Sequence, residues 1–173
     1  RYAPWINDTR AFKPHQLDEN LEKLLHEKEV AGRGAWVRLF DETLAHLRFD
    51  IDGTETTLTD TLNQLTDSDG AKRRVAGKAL ANGLKDTQRL FTTITNTLAK
   101  DKEIEDRWRQ FETPAQSRHM ANKVETEVVD ALAGAVSDSY ADLAHRYYGL
   151  KAKWMGVKKM DWWDRNAPLP DDA

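Results

Sequence analysis

The chain has 173 residues, enough for one domain of ordinary size with a core of its own. A net charge of -3 argues against a dedicated nucleic-acid binder. The absence of cysteine excludes disulfides, thiolate metal sites and a thiol nucleophile. No apolar run approaches the ~20 residues that span a membrane, and no basic-then-apolar leader is present, so no membrane role is expected and a cytoplasmic setting is the default. The chain opens on Arg1-Tyr2 rather than Met and closes on Pro168-Leu169-Pro170-Asp171-Asp172-Ala173, and both ends read as cuts in a longer protein.

The spacing predicts a first helix after Pro14, with Leu17, Leu21, Leu24 and Leu25 on its core face and Gly32 and Gly34 breaking it. A second helix carries the stripe Trp36, Leu39, Phe40, Thr43, Leu44 and Leu47. The period then changes. In RFDIDGTETT, Phe49 and Ile51 alternate with charged residues, and Asp52-Gly53 is a two-residue turn signal, so a single β-hairpin is expected at about 47–57.

Thr59 is the expected N-cap of a short helix, and Ser68 that of the next, which carries Val75, Ala76, Ala79 and Leu80 and is expected to end or break at Gly83. A helix from Leu84 to Ala99 then presents Leu90, Phe91, Ile94 and Leu98. Ile104, Trp108 and Phe111 anchor the charged stretch that follows, and Thr113-Pro114 reads as an N-cap with proline at the first helical position. The longest helix is expected at about 125–155, where Val129, Leu132, Val136, Tyr140, Leu143, Tyr147, Leu150 and Trp154 are spaced by three and four, with Gly156 as its stop. Truncation of Trp108 or Trp154 to Ala is expected to cost about 3–5 kcal/mol if the ring is fully buried. The fold class is therefore all-α, a multi-helix array with one small hairpin, treated as one domain over 1–173.

His26-Glu27-Lys28-Glu29-Val30 falls one residue short of H-E-x-x-H, in which two His four apart ligate zinc and the Glu deprotonates the metal-bound water. Val30 cannot ligate, so His26 reads as an ordinary helical histidine. Asp138, Asp142 and His145 share a helical spacing, but zinc takes three or four ligands, and a salt bridge to Arg146 is the simpler reading. Arg146, Lys151, Lys153, Lys158, Lys159 and Arg165 interleave with Tyr147, Tyr148, Trp154, Trp162 and Trp163. That composition suits a single-strand nucleic-acid surface, and more commonly a solvated helix over core aromatics. Trp162-Trp163 suggests a packing anchor, one ring of which lies exposed in an isolated fragment. No nucleophile elbow, phosphate-binding glycine loop or dinucleotide fingerprint occurs.

One tract goes further. Residues 117–170 resemble the oligoendopeptidase F branch of the thimet-oligopeptidase-like zinc peptidases, most closely in HRYYGLKAKWMG (145–156) and WWDRNAPLP (162–170). LLHEKEVAGRGAWVRLFDETLAHLRF (24–49) and NTLAKDKEIEDRWR (96–109) are similar to the same family's amino-terminal region. The resemblance implies an amino-terminal helical region ahead of a catalytic domain, with residues 157–173 starting the connection to it. It implies that zinc is held by an H-E-x-G-H motif and a later Glu, all downstream of this tract, with the motif's Glu as general base. It further implies short unfolded peptides, held in a channel, as substrates. This chain then has no catalytic, metal or cofactor residues of its own, its substrate-binding residues are not assigned, and its partner is the catalytic domain. The alternative is a stand-alone helical interaction module that uses the helix Val129–Trp154.

Overall fold

The computed structural model describes residues 2–170; the last three residues of the expected connection lie outside the described residues. The described chain is helical apart from one hairpin, in the order α1 Ala3–Ala11, α2 Glu19–Glu29, α3 Arg33–His46, β1 Phe49–Ile51, β2 Thr54–Thr56, α4 Leu58–Gln64, α5 Gly70–Trp108, α6 Gln116–Asn122, α7 Thr126–Asp138 and α8 Arg146–Trp154. Short 3₁₀ turns occupy Lys13–His15 and Trp162–Asp164, and a π turn occupies Ala141–His145. The chain divides into two compact units, Arg1–Leu39 with Thr93–Ser137 and Phe40–Thr92 with Asp138–Ala173.

In the first unit, α1 was not foreseen; Pro4 opens it, and its apolar residues Trp5 and Ile6 stay exposed. Asp18 caps α2 by accepting from the Asn20 and Leu21 amides at 3.0 and 3.2 Å. The expected core face of α2 is corrected: Leu24 and Leu25 are exposed, while Leu21 and Glu22 are half-buried. Glu22 is half-buried where it pairs with Arg109. α6 begins two residues later than the expected Thr113-Pro114 start, with Ala115 at its N-cap.

In the second unit, the hairpin pairs Phe49 with Thr56 and Ile51 with Thr54. Asp52 and Gly53 both have positive φ, at 52° and 84°, the mirror-image turn that matches strand twist. The turn sets Phe49 facing inward, 1 % exposed, in a core with Ala79 and Leu80, ringed by Leu47, Ile51, Leu58, Leu65 and Leu84. Phe40 and Phe91 pack edge to face at 5.3 Å.

Both expected caps shift. Thr57, not Thr59, caps α4 through its hydroxyl to the Asp60 amide. Asp69, not Ser68, accepts from the Ala71 amide at the start of α5, because a carboxylate at that position reaches two residues on. The expected break at Gly83 does not occur; α5 runs unbroken for 39 residues. Gly83 is there for room. A Cβ on it would lie 2.7 and 2.8 Å from Cδ1 and Cε1 of Phe49.

The helix expected at 125–155 forms as α7 and α8 joined through the π turn, in which the His145 amide donates to the Tyr140 carbonyl at 2.9 Å. Gly156, at φ 68°, ends α8, and the Val157 amide closes back onto the Ala152 carbonyl at 2.9 Å. Trp108 and Trp154 are 58 % and 43 % exposed, so the cost of truncating a fully buried tryptophan does not apply to either. Among the described residues, no helix is long and apolar enough to cross a membrane.

Candidate functional site

The second unit holds the densest set of buried polar groups. Arg73 lies on the inner face of α5, one helical turn before Ala76 and Gly77 and two before Leu80. Its Nε and Nη2 donate to Asp164 Oδ1 at 3.1 and 2.9 Å, and its Nη1 donates to the carbonyls of Asp67 and Ser68 at 2.8 and 2.9 Å. Asp164 closes a reciprocal capping box with Asp161 around the 3₁₀ turn at Trp162–Asp164.

Lys151, on the inner face of α8, completes the set. Its Nζ donates to the carbonyls of Arg165 and Ala167 at 2.9 and 2.6 Å, and the residue is 2 % exposed. Burial pushes its pKa below the usual lysine value, and the nearby Arg73 charge pushes the same way; Asp164 opposes both. Two cations therefore share one carboxylate, and Lys151 makes up the difference with backbone carbonyls.

The aromatic pair sits against the same helix. Trp162 and Trp163 lie edge to face at 5.8 Å. A Cβ on Gly77 would approach Trp163 Cβ at 3.0 Å, Trp163 Cε3 at 3.1 Å and Trp162 Cζ2 at 3.2 Å. Trp163 is half-buried and Trp162 is 53 % exposed, which is the division expected of this anchor. The arrangement holds residues 161–167 in place from two helices. It offers no nucleophile and no general base; its chemistry is positional.

The first unit contains a second ion cluster. Arg109 makes a two-point pair with Glu22, at 2.7 and 2.9 Å, and donates to Glu105 at 2.8 Å. His15 Nδ1 donates to the Arg109 carbonyl at 2.8 Å, and its ring stacks on Phe111 with centroids 4.1 Å apart. The Arg109 hydrogen bonds and the Leu17 amide hold the Glu22 carboxyl down at about 2. A shallow cavity of about 410 Å³ opens beside this cluster, lined in part by His26, Glu29, Asp101 and Glu105.

His26 lies in that cavity's wall, but no three His, Asp or Glu side chains among the described residues converge to hold a metal. The residues present thus do not fit zinc. Asp138, Asp142 and His145 form no such group either. Of the basic and aromatic segment, Lys151 is withdrawn from the surface altogether. Arg73, Lys151 and Asp164 were not singled out as a site by sequence. The available signal was a cation on an apolar face: Lys151 shares its side of α8 with Tyr148, Ala152 and Met155.

A family model described as Oligopeptidase F matches residues 1–49. No curated protein sequence matches the chain. Among solved structures, oligoendopeptidase-F from Enterococcus faecium shares the fold at a TM-score of 0.81 and 22% identity, over 99% of this chain and 34% of that one. A protein of Bacillus anthracis str. Ames assigned as an oligoendopeptidase F gives 0.78 and 17%, over 98% and 31%. A protein of Chlamydophila abortus assigned as a peptidase gives 0.80 and 17%, over 97% and 29%. The resemblance read in the sequence is thus matched at its amino-terminal end by the family model and along its length by the fold. The chain spans about a third of the length of the structures it matches.

Proposed function

We propose that this chain is the non-catalytic amino-terminal helical region of a zinc metallo-oligoendopeptidase that cleaves short peptides, and that it forms part of the wall of the substrate channel. One observation carries the reading: a family model for Oligopeptidase F covers residues 1–49 while the whole chain shares its fold with an oligoendopeptidase-F. In this reading zinc and its H-E-x-G-H ligands belong to a catalytic domain beyond these residues, the connection to it begins at residue 157, and the enzyme works in the cytoplasm. Helical walls admit only flexible chains, so the region contributes size selection without supplying a reacting group.

The test is to express the longer gene product and assay it on quenched peptides of about ten residues and on a folded protein, with zinc measured by elemental analysis. The longer protein is expected to hold zinc and to cleave only the peptides. The 173-residue chain is expected to bind no zinc and cleave neither, with His26→Ala leaving metal content unchanged. Zinc bound to the 173-residue chain and lost in His26→Ala would overturn the reading. A natural chain that ends at Ala173 would favour the stand-alone interaction module instead.

A further inference from the structure

Helix α8 is buried on one side and carries an apolar stripe on another. Its inner side carries Lys151 and Ala152, both buried. Its other side carries Tyr147, Leu150 and Trp154, and Leu143 continues the row in the π turn. The spacings of four, three and four put these residues on one stripe. Leu143 is 67 % exposed and Tyr147 44 %, with Trp154 close to that. A soluble helix normally turns one side inward and gives water a polar face; a helix buried on one side and apolar on another is one that is covered on both. Arg146 and Lys153 lie along one edge of the outer stripe, are exposed, and take part in none of the ion pairs among the described residues.

Two facts point to the occupant. The similar structures are roughly three times as long as this chain, so most of each lies outside the matched region. Lys151, on the same helix, also holds the carbonyls of Arg165 and Ala167. Whatever follows Pro168 therefore starts within about one helix diameter, ~10 Å, of α8. A tethered surface so close meets the stripe at high effective concentration.

We propose that the stripe Leu143, Tyr147, Leu150 and Trp154 is an intramolecular docking face for the chain beyond this region. The docked surface is apolar at its centre and places carboxylates opposite Arg146 and Lys153. This rests on the reading of the chain as one region of a longer peptidase and adds which surface makes the contact.

The experiment is hydroxyl-radical footprinting of the 173-residue chain and of the longer protein, with Phe49 as the buried reference in both. Tyr147 and Trp154 should be modified readily in the shorter chain and about tenfold less in the longer one, as expected when an interface core excludes water. In the longer protein, Leu143→Glu with Leu150→Glu should restore modification of Trp154 and lower the melting temperature. In the shorter chain the pair should leave Phe49 protected. Equal modification in both proteins overturns the proposal. Protection in the shorter chain that grows with its concentration also overturns it, since a second copy is then the occupant. Unequal footprints without peptidase activity would sink the functional reading and leave the docking face standing; equal footprints with activity would do the reverse.

Discussion

Arg73 and Arg109 do the same job in different media. Each ties a helix to a carboxylate about ninety residues away in sequence. The side chains of Arg73 and Asp164 are 5% and 13% exposed; those of Arg109 and Glu22 are 19% and 37% exposed. In the first pair the charges have lost their water, so every Arg73 guanidinium nitrogen is directed to a fixed acceptor and removal of either partner costs the other its main partner. In the second pair water screens the attraction, and its effect is modest but titratable. One cluster fixes position and the other adjusts stability with pH.

The largest expected effect comes from breaking the buried pair. Arg73→Ala strips the buried Asp164 carboxylate of both its Arg73 hydrogen bonds, leaving only the Lys151 charge nearby, and frees two carbonyls; the expected loss is about 3–5 kcal/mol. It should appear as a lower urea midpoint and as faster amide exchange at Asp164 and Ala167. Arg73→Met with Asp164→Leu removes both charges and is expected to recover most of the loss, as apolar replacements of buried pairs do. Failure of the double variant to recover would mean that the carbonyls of Asp67 and Ser68 carry the energy instead.

The next effects come from the two glycines of α5. Alanine is favoured over glycine inside a helix by about 1 kcal/mol, so Gly83→Ala would stabilise if only the helix mattered. Here the new methyl meets the ring of Phe49, which is 1 % exposed and has nowhere to go. Overpacking should dominate, for a net loss of about 1–2 kcal/mol. Gly77→Ala meets Trp163 at slightly longer range, 3.0 Å, and the neighbouring Trp162 is half in solvent. Its cost should be smaller, about 1 kcal/mol or less, with a change in tryptophan fluorescence as the pair shifts. Thermal melts of the two variants rank them; a larger loss at Gly77 would show that residues 161–167 are held more tightly than Phe49.

Those glycines also show what was legible in the sequence. Residue 83 reads as a helix breaker because local propensity is the only sequence-level information about it, and the reason for it lies 34 positions earlier in Phe49. The hairpin was legible because Asp52-Gly53 and the alternation around it are local. The apolar rhythm of 125–155 was legible too, but periodicity says only that a face is apolar, and here that face is left uncovered. The caps slipped by one or two residues since Thr57, Thr59, Ser68 and Asp69 are chemically near-equivalent candidates. The Arg73–Asp164–Lys151 set was not legible as a site, since it joins α5, α8 and a 3₁₀ turn across long sequence separations. The basic and aromatic run from Arg146 to Arg165 and the resemblance in 145–170 marked two of those three segments as special, but neither pointed to Arg73.

The smallest expected effect is also the one with a pH signature. Glu22 titrates at about 2 when folded, against an ordinary 4.5, because the Arg109 hydrogen bonds and then the Leu17 amide favour its charged form. Between those values the unfolded chain binds the proton and the folded chain does not, so stability falls as pH drops from about 4.5 towards 2. Above that window the contribution is fully present. Glu22 is partly exposed, so screening cuts the benefit to about 0.5 kcal/mol. Glu22→Gln keeps the shape, loses the charge, and should lower stability at pH 7 by that amount while flattening the decline below pH 4.5. Urea melts of both proteins across the acid range read this directly. A variant that declines as steeply as the parent would assign the acid sensitivity to other carboxylates, and the half-exposed cluster would then differ from the buried one in burial alone.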